Sequence, residues 1–324
     1  MTIRAAKLKG IRAAAEVHHR LGIDRSIMEG LEFVDVFAVL ASLEVFTLCR
    51  PLDGILGAYT SADGGGVLVT TKRRLPIQRF TAAHELGHYW LKHEQSIDSE
   101  KSIGLARAGK GVALQEIEAE AFASELLLPR NLLIMQAKRR KWGRKDLEDP
   151  DNVYQLSLRT STSYEATWRA LLENRLISPK AAENIGKIEP GKSKARVLQN
   201  IQADNSWADA FKLSKVDTGT RVLASPDDTI LIELPEHSSS GYLWTDLGRA
   251  GLGIQLLGDG SGYESGNCLG AIGSRKLYFR GEGPVTIHME ERRPWQTEGK
   301  PIATFDVDID FSGQELGLPR AMRQ

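Results

Sequence analysis

Residues 84–88 read His84-Glu85-Leu86-Gly87-His88, and this pentapeptide predicts both a helix and its chemistry. An α-helix turns once every 3.6 residues, so side chains four positions apart point the same way. Two imidazoles on one helix face can bind one zinc ion at about 2.0–2.1 Å. The intervening glutamate is then placed to act as the general base of a metallopeptidase. The pentapeptide also occurs in other proteins, so this prediction requires a helix and a third ligand.

The surrounding sequence predicts a helix over residues 76–93. Pro76 fits the first turn, where its missing N–H costs nothing. An apolar stripe runs from Ile77 to Leu91 and includes both histidines, which places them on the inward face. Gly87 lacks a side chain and leaves room for another backbone. His93 lies about 140° around the helix from His88, so it is predicted at the surface.

The third ligand is predicted on a later helix. Position 94 is Glu and position 90 is Trp, which excludes the pattern that uses a third histidine. Residues 116–129 read EIEAEAFASELLLP, with an apolar face that includes Ala119 and Phe122. Glu118 adjoins that face, so we predict it as the third ligand, with water in the fourth position. The other glutamates of this helix are predicted to face solvent.

Residues 79–88, RFTAAHELGH, and residues 118–129, EAEAFASELLLP, resemble the ImmA/IrrE family of zinc metallopeptidases. The resemblance implies an α+β zincin-like domain with one Zn²⁺ held by His84, His88 and Glu118, and Glu85 as the catalytic base. It also implies the substrate, a helix-turn-helix repressor whose cleavage activates mobile-element, stress or defence genes. Glu120 departs from the family, which has Asn or Asp there.

A short strand is predicted at residues 67–71, just before the active-site helix. Two interpretations remain open for this strand. We predict that it aligns an extended substrate by backbone pairing, and the alternative is a purely structural strand.

Residues 153–159 and 164–174 have the pattern of two helices with a break, and Ser163 is a suitable N-cap. This resembles a helix-turn-helix. The second helix begins Tyr-Glu-Ala-Thr-Trp, without the Arg, Asn or Gln that read base edges. We therefore predict a packing module and no direct binding of nucleic acid. The predicted domains are residues 1–150 for the peptidase, 151–216 for the helical module and linker, and 217–324 for a third domain.

The third domain is predicted to be an all-β sandwich. Short strand-like segments with alternating apolar residues are separated by Gly-rich turns. These segments are residues 221–224, 229–234, 254–257, 275–279, 285–290 and 304–309.

Three loops of this domain resemble the chagasin family. Residues 234–244 (LPEHSSSGYLW), 270–273 (GAIG) and 293–296 (RPWQ) agree with that family's loops in order and spacing, although HSSS replaces its NPTT. The resemblance implies an immunoglobulin-like sandwich, whose loops in that family wedge into papain-like cysteine proteases. Trp244 is predicted in the core and Trp295 in an exposed loop. The implied protein-binding residues are Ser239, Ser240, Gly241, Tyr242, Gly270, Gly273, Arg293, Pro294 and Trp295.

Charge and cysteine content bear on domain contacts, disulfides and location. The chain has 42 basic and 42 acidic residues. Residues 1–216 carry 32 basic and 26 acidic residues (+6), whereas residues 217–312 carry 8 and 15 (−7). Opposite signs permit contact between the sandwich and the peptidase domain. Two distant cysteines indicate no disulfide framework and a cytoplasmic location. No apolar stretch approaches about 18 residues, so no membrane span is predicted.

Three function classes follow. The first is a zinc endopeptidase that cleaves a regulatory protein and is controlled or targeted by the sandwich. The second is a protein-binding or protease-inhibitor module attached to an inactive peptidase. The third is a DNA-binding regulator. The presence of Glu85 favours the first class.

Overall fold

A computed structural model describes residues 2–60, 65–94, 97–99, 113–203, 205–246, 253–263, 272–296 and 299–323. The chain forms two compact units. The first contains residues 1–187 together with residues 314–324, and the second contains residues 188–313. These boundaries differ from the predicted ones, because most of the helical module shares a unit with the peptidase domain and the chain returns to that unit after the sandwich.

The first unit is α+β. Its early elements are α1 (Ile3–Leu21), α2 (Ile23–Met28), α3 (Val36–Ser42), β1 (Phe46–Arg50), β2 (Ile55–Thr60), β3 (Gly66–Thr70), α4 (Leu75–Leu91) and β4 (Ile97–Ser99). Its later helices are α5 (Leu114–Leu127), α6 (Arg130–Arg139), α7 (Arg144–Leu147), α8 (Pro150–Arg159), α9 (Tyr164–Glu173) and α10 (Pro179–Gly186). None of the described helices is long and apolar enough to span a membrane.

The sheet of the first unit has the strand order β1-β3-β2-β4. Strand β3 pairs in parallel with β1 and antiparallel with β2. Both of its hydrogen-bonding edges are therefore occupied, and it cannot align a substrate by backbone pairing. Of the two interpretations offered for residues 67–71, the structural one is confirmed and the substrate-aligning one is wrong.

Close helix packing around α5 positions the site. A Cβ atom added to Gly87 of α4 would lie 3.1 Å from Ala119 Cα, so glycine permits this approach, as predicted. On another side, a Cβ added to Gly10 of α1 would overlap the carbonyl oxygen of Glu118. Helix α5 is thus held against both α1 and α4, and both contacts depend on a glycine.

The helix-turn-helix-like segment packs into the first unit through its turn. Ser163 caps α9 as predicted, and its hydroxyl accepts a hydrogen bond from Ala166 N–H. The hydroxyls of Thr160, Thr162 and Thr167 are buried and form a hydrogen-bonded chain with oxygen separations of 2.9 Å. These hydroxyls form hydrogen bonds with one another in the interior. The turn between the two helices is therefore part of the packing of the first unit.

Residues 314–323, here called the return segment, bind to the sheet and to α4. The fully buried amide of Gln78 donates to Thr70 O and Glu315 O, both at 3.1 Å, and accepts from Glu315 N–H at 2.8 Å. Cys49 and Gly317 exchange two backbone hydrogen bonds, of 2.7 and 2.9 Å. Cys49 belongs to β1, which is an edge strand, so the segment covers this edge of the sheet.

We expect deletion of residues 314–324 to lower the melting temperature of the first unit by roughly 2–12 °C. The deletion removes four hydrogen bonds and leaves the buried amide of Gln78 partly unsatisfied, which costs about 1–3 kcal/mol. A unit of this size loses about 2–4 °C per kcal/mol. Calorimetry measures the shift, and Arg323→Ala, which removes only contacts with exposed carbonyls of the segment itself, is the control. An unchanged melting temperature would show that the segment contributes nothing to the unit.

The second unit begins with α11 (Pro190–Leu198) and is otherwise built of strands. They are β5 (Ala210–Ser214), β6 (Thr220–Leu223), β7 (Thr229–Glu236), β8 (Leu243–Asp246), β9 (Ile254–Tyr263), β10 (Gly273–Gly281), β11 (Pro284–Arg292) and β12 (Ala303–Asp310). One sheet has the order β5-β7-β10-β9 and the other β6-β12-β11-β8. Buried side chains of both sheets, such as Ile232 and Val307, form the core. The predicted sandwich is confirmed, but β5 lies in the segment predicted as a linker.

Candidate metal centre

The two histidines of the pentapeptide converge in the interior of the first unit. His84 and His88 lie on α4 and are completely buried, and their Nε2 atoms are 3.0 Å apart. Glu116 of α5 faces them. Its Oε2 lies 3.4 Å from His84 Nε2, and its Oε1 lies 3.6 Å from His88 Nε2. Two rings on one helix and a carboxylate on another therefore point at a common position.

This arrangement fits zinc. Ligand atoms at about 2.0–2.1 Å from a tetrahedral ion lie roughly 3.3–3.4 Å from one another. The three observed separations, 3.0, 3.4 and 3.6 Å, bracket that value. Among the described residues, His84, His88 and Glu116 form the one group of three or more candidate ligands that meets such distances. Two imidazoles and a carboxylate are also the ligand set of catalytic zinc sites that keep a fourth position for water.

The prediction of Glu118 as the third ligand is wrong in this structure, because Glu116 takes that place. Glu118 Oε2 instead accepts from Lys9 Nζ at 2.6 Å and lies 2.9 Å from His93 Nε2. The prediction that Glu116 faces solvent is also wrong, since only 6% of it is exposed.

Helical geometry explains why Glu116, and not Glu118, faces the two histidines. At about 100° per residue, Glu116 shares a face with Ala119 and Ala123, whereas Glu118 lies about 200° away from it. Ala119 is the residue that touches α4 at Gly87, so the Glu116 face is the one turned to the histidines. The opposite side of α5 meets α1. Because both sides of α5 are buried and apolar, the hydrophobic stripe alone could not tell which carboxylate faces the metal position.

Glu85, the predicted base, is buried against the sheet. It lies on α4 between the two histidines in sequence and is completely buried. A Cβ added to Gly57 of β2 would lie 2.8 Å from Glu85 Oε1 and 2.9 Å from Leu68 O. The carboxylate therefore packs directly over the backbone of β2, and glycine at position 57 makes room for it.

The charge state of Glu116 also suits a ligand. Burial by itself raises the pKa of this carboxyl, but the adjacent His84 and His88 rings outweigh burial and lower the pKa to about 2. Glu116 is therefore ionised at neutral pH, which is the form that binds a cation.

His93 is a part of the site that the sequence analysis missed. Helix α4 ends at Leu91, and Lys92 adopts a left-handed conformation with φ of 55°. The chain folds back, so that His93 Nδ1 lies 2.9 Å from His88 Nδ1. The helical extrapolation placed His93 at the surface because it continued the helix past its end. The side chain is 7% exposed, and burial lowers its pKa.

In the second unit, two of the three predicted loops come together. The Arg293 guanidinium lies 4.7 Å from the Tyr242 ring centroid, and its Nε donates to Ser240 O at 3.3 Å. Gly241 has φ of 79°, and a Cβ there would overlap the Trp295 ring. Trp295 is 67% exposed and Trp244 5%, as predicted for each.

The remaining predicted loop residues are less informative. Ser239 lies in the short 3-10 turn before Gly241, and Pro294 lies in the turn before Trp295. Gly273 opens β10 and pairs with Glu236. Gly270 lies outside the described residues.

Comparison with known proteins gives matches for both units. Residues 45–171 match the family model described as Peptidase_M78, IrrE N-terminal-like domain. Residues 224–309 match the model of the chagasin family peptidase inhibitor I42. No curated protein matches the chain.

Two solved structures are similar to part of the chain. One is the cysteine protease inhibitor EhICP2 from Entamoeba histolytica, with 21% identity and a TM-score of 0.29, covering 31% of this chain and 94% of that one. The other is amebosin, with 18% identity and a TM-score of 0.27, and with the same coverage of 31% and 94%.

The fold and the matches together define a two-part protein. Its first unit has a zincin-like α+β architecture, in which an HExxH helix packs against a mixed sheet. The chain carries an ImmA/IrrE-like peptidase-family domain followed by a chagasin-family domain.

Proposed function

We propose that this protein is a zinc-dependent endopeptidase of the cytoplasm. The observation that carries the proposal is the convergence of His84, His88 and Glu116 at mutual distances suited to one zinc ion, with Glu85 on the same helix. The match to a peptidase family supports the same conclusion.

When bound, the zinc ion supplies a Lewis acid that polarises the scissile carbonyl and acidifies water. The protein's own groups do the rest. His84, His88 and Glu116, all buried, would hold the ion. Glu85 accepts a proton from the attacking water and passes it to the leaving amine, the usual task of a positioned carboxylate.

The proposed substrate is a helix-turn-helix transcriptional repressor, whose cleavage would activate mobile-element, stress or defence genes. This part rests on resemblance to the ImmA/IrrE family. The chain's own helix-turn-helix-like segment uses its turn for internal packing, through the hydroxyls of Thr160, Thr162 and Thr167. Helix α9 begins Tyr-Glu-Ala-Thr-Trp, without the Arg, Asn or Gln that read base edges, and this favours a protein substrate over direct binding of nucleic acid.

The proposed role of the second unit is to target or regulate the peptidase by binding protein. The cluster of Tyr242, Arg293 and Trp295 supports this role. An exposed Trp beside an Arg stacked on a Tyr is the composition enriched in binding hot spots. The chagasin-family match also favours protein binding, so an inhibitor module attached to an inactive peptidase is the second candidate function.

Metal analysis tests the central part of this proposal. We expect about one zinc per chain in the purified protein and a large loss of zinc affinity in Glu116→Gln. Glu125→Gln is a matched control on the same helix. Burial, and then the charges of Asp24 and Glu173, raise the pKa of Glu125 to about 6, so we expect removal of its charge to leave the fold intact. Absence of zinc from the wild-type protein would refute the proposal.

A test of the regulatory role requires a variant that retains the return segment. A chain that simply stops near Gly219 lacks residues 314–323 and with them part of the peptidase unit. The suitable variant replaces residues 188–313 with a flexible Gly/Ser linker. If it cleaves a co-expressed repressor at the same rate as the full chain, and binds it equally well, the second unit neither regulates nor targets cleavage.

A further inference from the structure

We infer that His93 and Glu118 are positioning residues for the ligand His88, and this inference rests on the zinc site proposed above. The three side chains form a continuous line from the metal position to the surface of α1. His88 Nδ1 lies 2.9 Å from His93 Nδ1, and His93 Nε2 lies 2.9 Å from Glu118 Oε2. Lys9 Nζ donates to the same oxygen at 2.6 Å.

The position of each proton in this line follows from one requirement. His88 must present the lone pair of Nε2 to the metal, so its proton resides on Nδ1. That N–H can form a hydrogen bond only if His93 Nδ1 accepts it. His93 then carries its own proton on Nε2 and donates it to the carboxylate of Glu118. With His88 Nε2 free for the metal, this arrangement of protons satisfies every contact in the line.

The far end of the line is anchored by charge. Glu118 is 2% exposed and carries a carboxylate that needs compensation, because burial of an unpaired charge is costly. Lys9 supplies the opposite charge from α1 while its own side chain is 49% exposed. The close approach of α1 to α5 at Gly10 brings the neighbouring lysine within reach.

Tyr59 of β2 contacts both histidines of the line. Its ring stacks on His88 with an interplanar angle of 10° and a centroid distance of 5.4 Å. Its hydroxyl donates to the backbone carbonyl of His93. The ring of His88 is thus fixed on one face by Tyr59 and at its edge by His93, which meets it at an interplanar angle of 74°.

A carboxylate that orients a metal-bound histidine normally contacts that histidine directly. Here a second histidine is inserted between them. Glu118, which the sequence suggested as a ligand, therefore acts on the metal position through two rings. Loss of such outer contacts typically costs 10–100-fold in metal affinity.

Three variants of the full chain test the inference. His93→Leu removes both hydrogen bonds, and Glu118→Gln keeps an acceptor but removes the charge. His93→Asn places an amide oxygen close to the position of Nδ1, so it keeps the acceptor for His88 and loses the link to Glu118. Zinc affinity is measured by competition with a chromogenic chelator, the coordination geometry by the visible spectrum of the Co²⁺-loaded protein, and stability by melting of the metal-free protein.

We expect zinc affinity to fall about 10–100-fold in His93→Leu, less in Glu118→Gln, and to recover in part in His93→Asn. We also expect an altered Co²⁺ spectrum in His93→Leu. The control Glu125→Gln should match the wild type. If the variants only lower the melting temperature of the metal-free protein, and bind zinc like the wild type with an unchanged Co²⁺ spectrum, the positioning role is refuted while the zinc site stands. If the wild type itself binds no zinc, both proposals fall.

Discussion

Replacing Glu85 by Gln is expected to abolish peptide cleavage while zinc remains bound. The amide keeps the size of the side chain but cannot accept a proton from the attacking water. General-base contributions of this kind amount to about 10²–10⁴-fold in rate. Co-expression with a candidate substrate, the proposed helix-turn-helix repressor, followed by quantification of the cut product, measures the loss. Metal analysis of the same sample measures zinc.

The design separates catalysis from folding. Glu85 is not one of the three metal ligands, so zinc content and melting temperature should stay close to wild type. The packing of this carboxylate over β2 at Gly57 also tolerates an amide of equal shape. Cleavage that persists undiminished in Glu85→Gln would show that another group takes the proton, or that a different protease makes the cut.

The part of the site that lies on one helix could be predicted from the sequence. His84, Glu85 and His88 are related by helical geometry alone, and Gly87 correctly indicated the close approach of a second helix. Residues contributed by other elements were harder. Glu116 and Glu118 differ by about 200° around α5, and both directions lead into the interior, so only the packing partners decide between them.

His93 and the return segment show a second limit of sequence patterns. The position of His93 depends on the left-handed residue Lys92, which ends the helix and reverses the chain. The return segment joins the peptidase unit through pairings between residues more than 200 positions apart, such as Gln78 with Glu315, a separation of 237 residues. Neither local periodicity nor composition carries information about such contacts.

The sequence predicted the sandwich fold correctly but did not predict all of its strands. Alternating segments identified most of its strands, because one face of each is buried. Two strands were missed: β5 (Ala210–Ser214) lies in the segment predicted as a linker, and β8 (Leu243–Asp246) begins within residues 234–244, which were assigned to a loop. The parallel pairing of β5 with β7 brings it into the sheet.

Replacing Arg79 by Leu is expected to lower the free energy of unfolding of the first unit by about 2–6 kcal/mol, because two buried carbonyl groups lose their donor. Arg79 lies on α4 and is 1% exposed. Its Nε donates to Ser161 O at 3.1 Å and its NH2 group to Val34 O at 2.6 Å. NH1 lies 3.9 Å from Asp35 Oδ1. One side chain thus ties the active-site helix to the α8–α9 turn and to the start of α3.

The size of this effect depends on what remains after the substitution. Leucine leaves two carbonyl oxygens without their donor, and each buried unsatisfied group costs about 1–3 kcal/mol. Arg79→Lys should recover only part of the loss, because an ammonium lacks the planar fork that reaches two segments at once. Urea unfolding of the first unit provides the measurement. Arg12→Leu, the same substitution at an exposed position of α1, should change stability by no more than about 0.5 kcal/mol. Equal effects at positions 12 and 79 would mean that Arg79 does not connect these elements, and the helix that carries both histidines would have to be held by apolar packing alone.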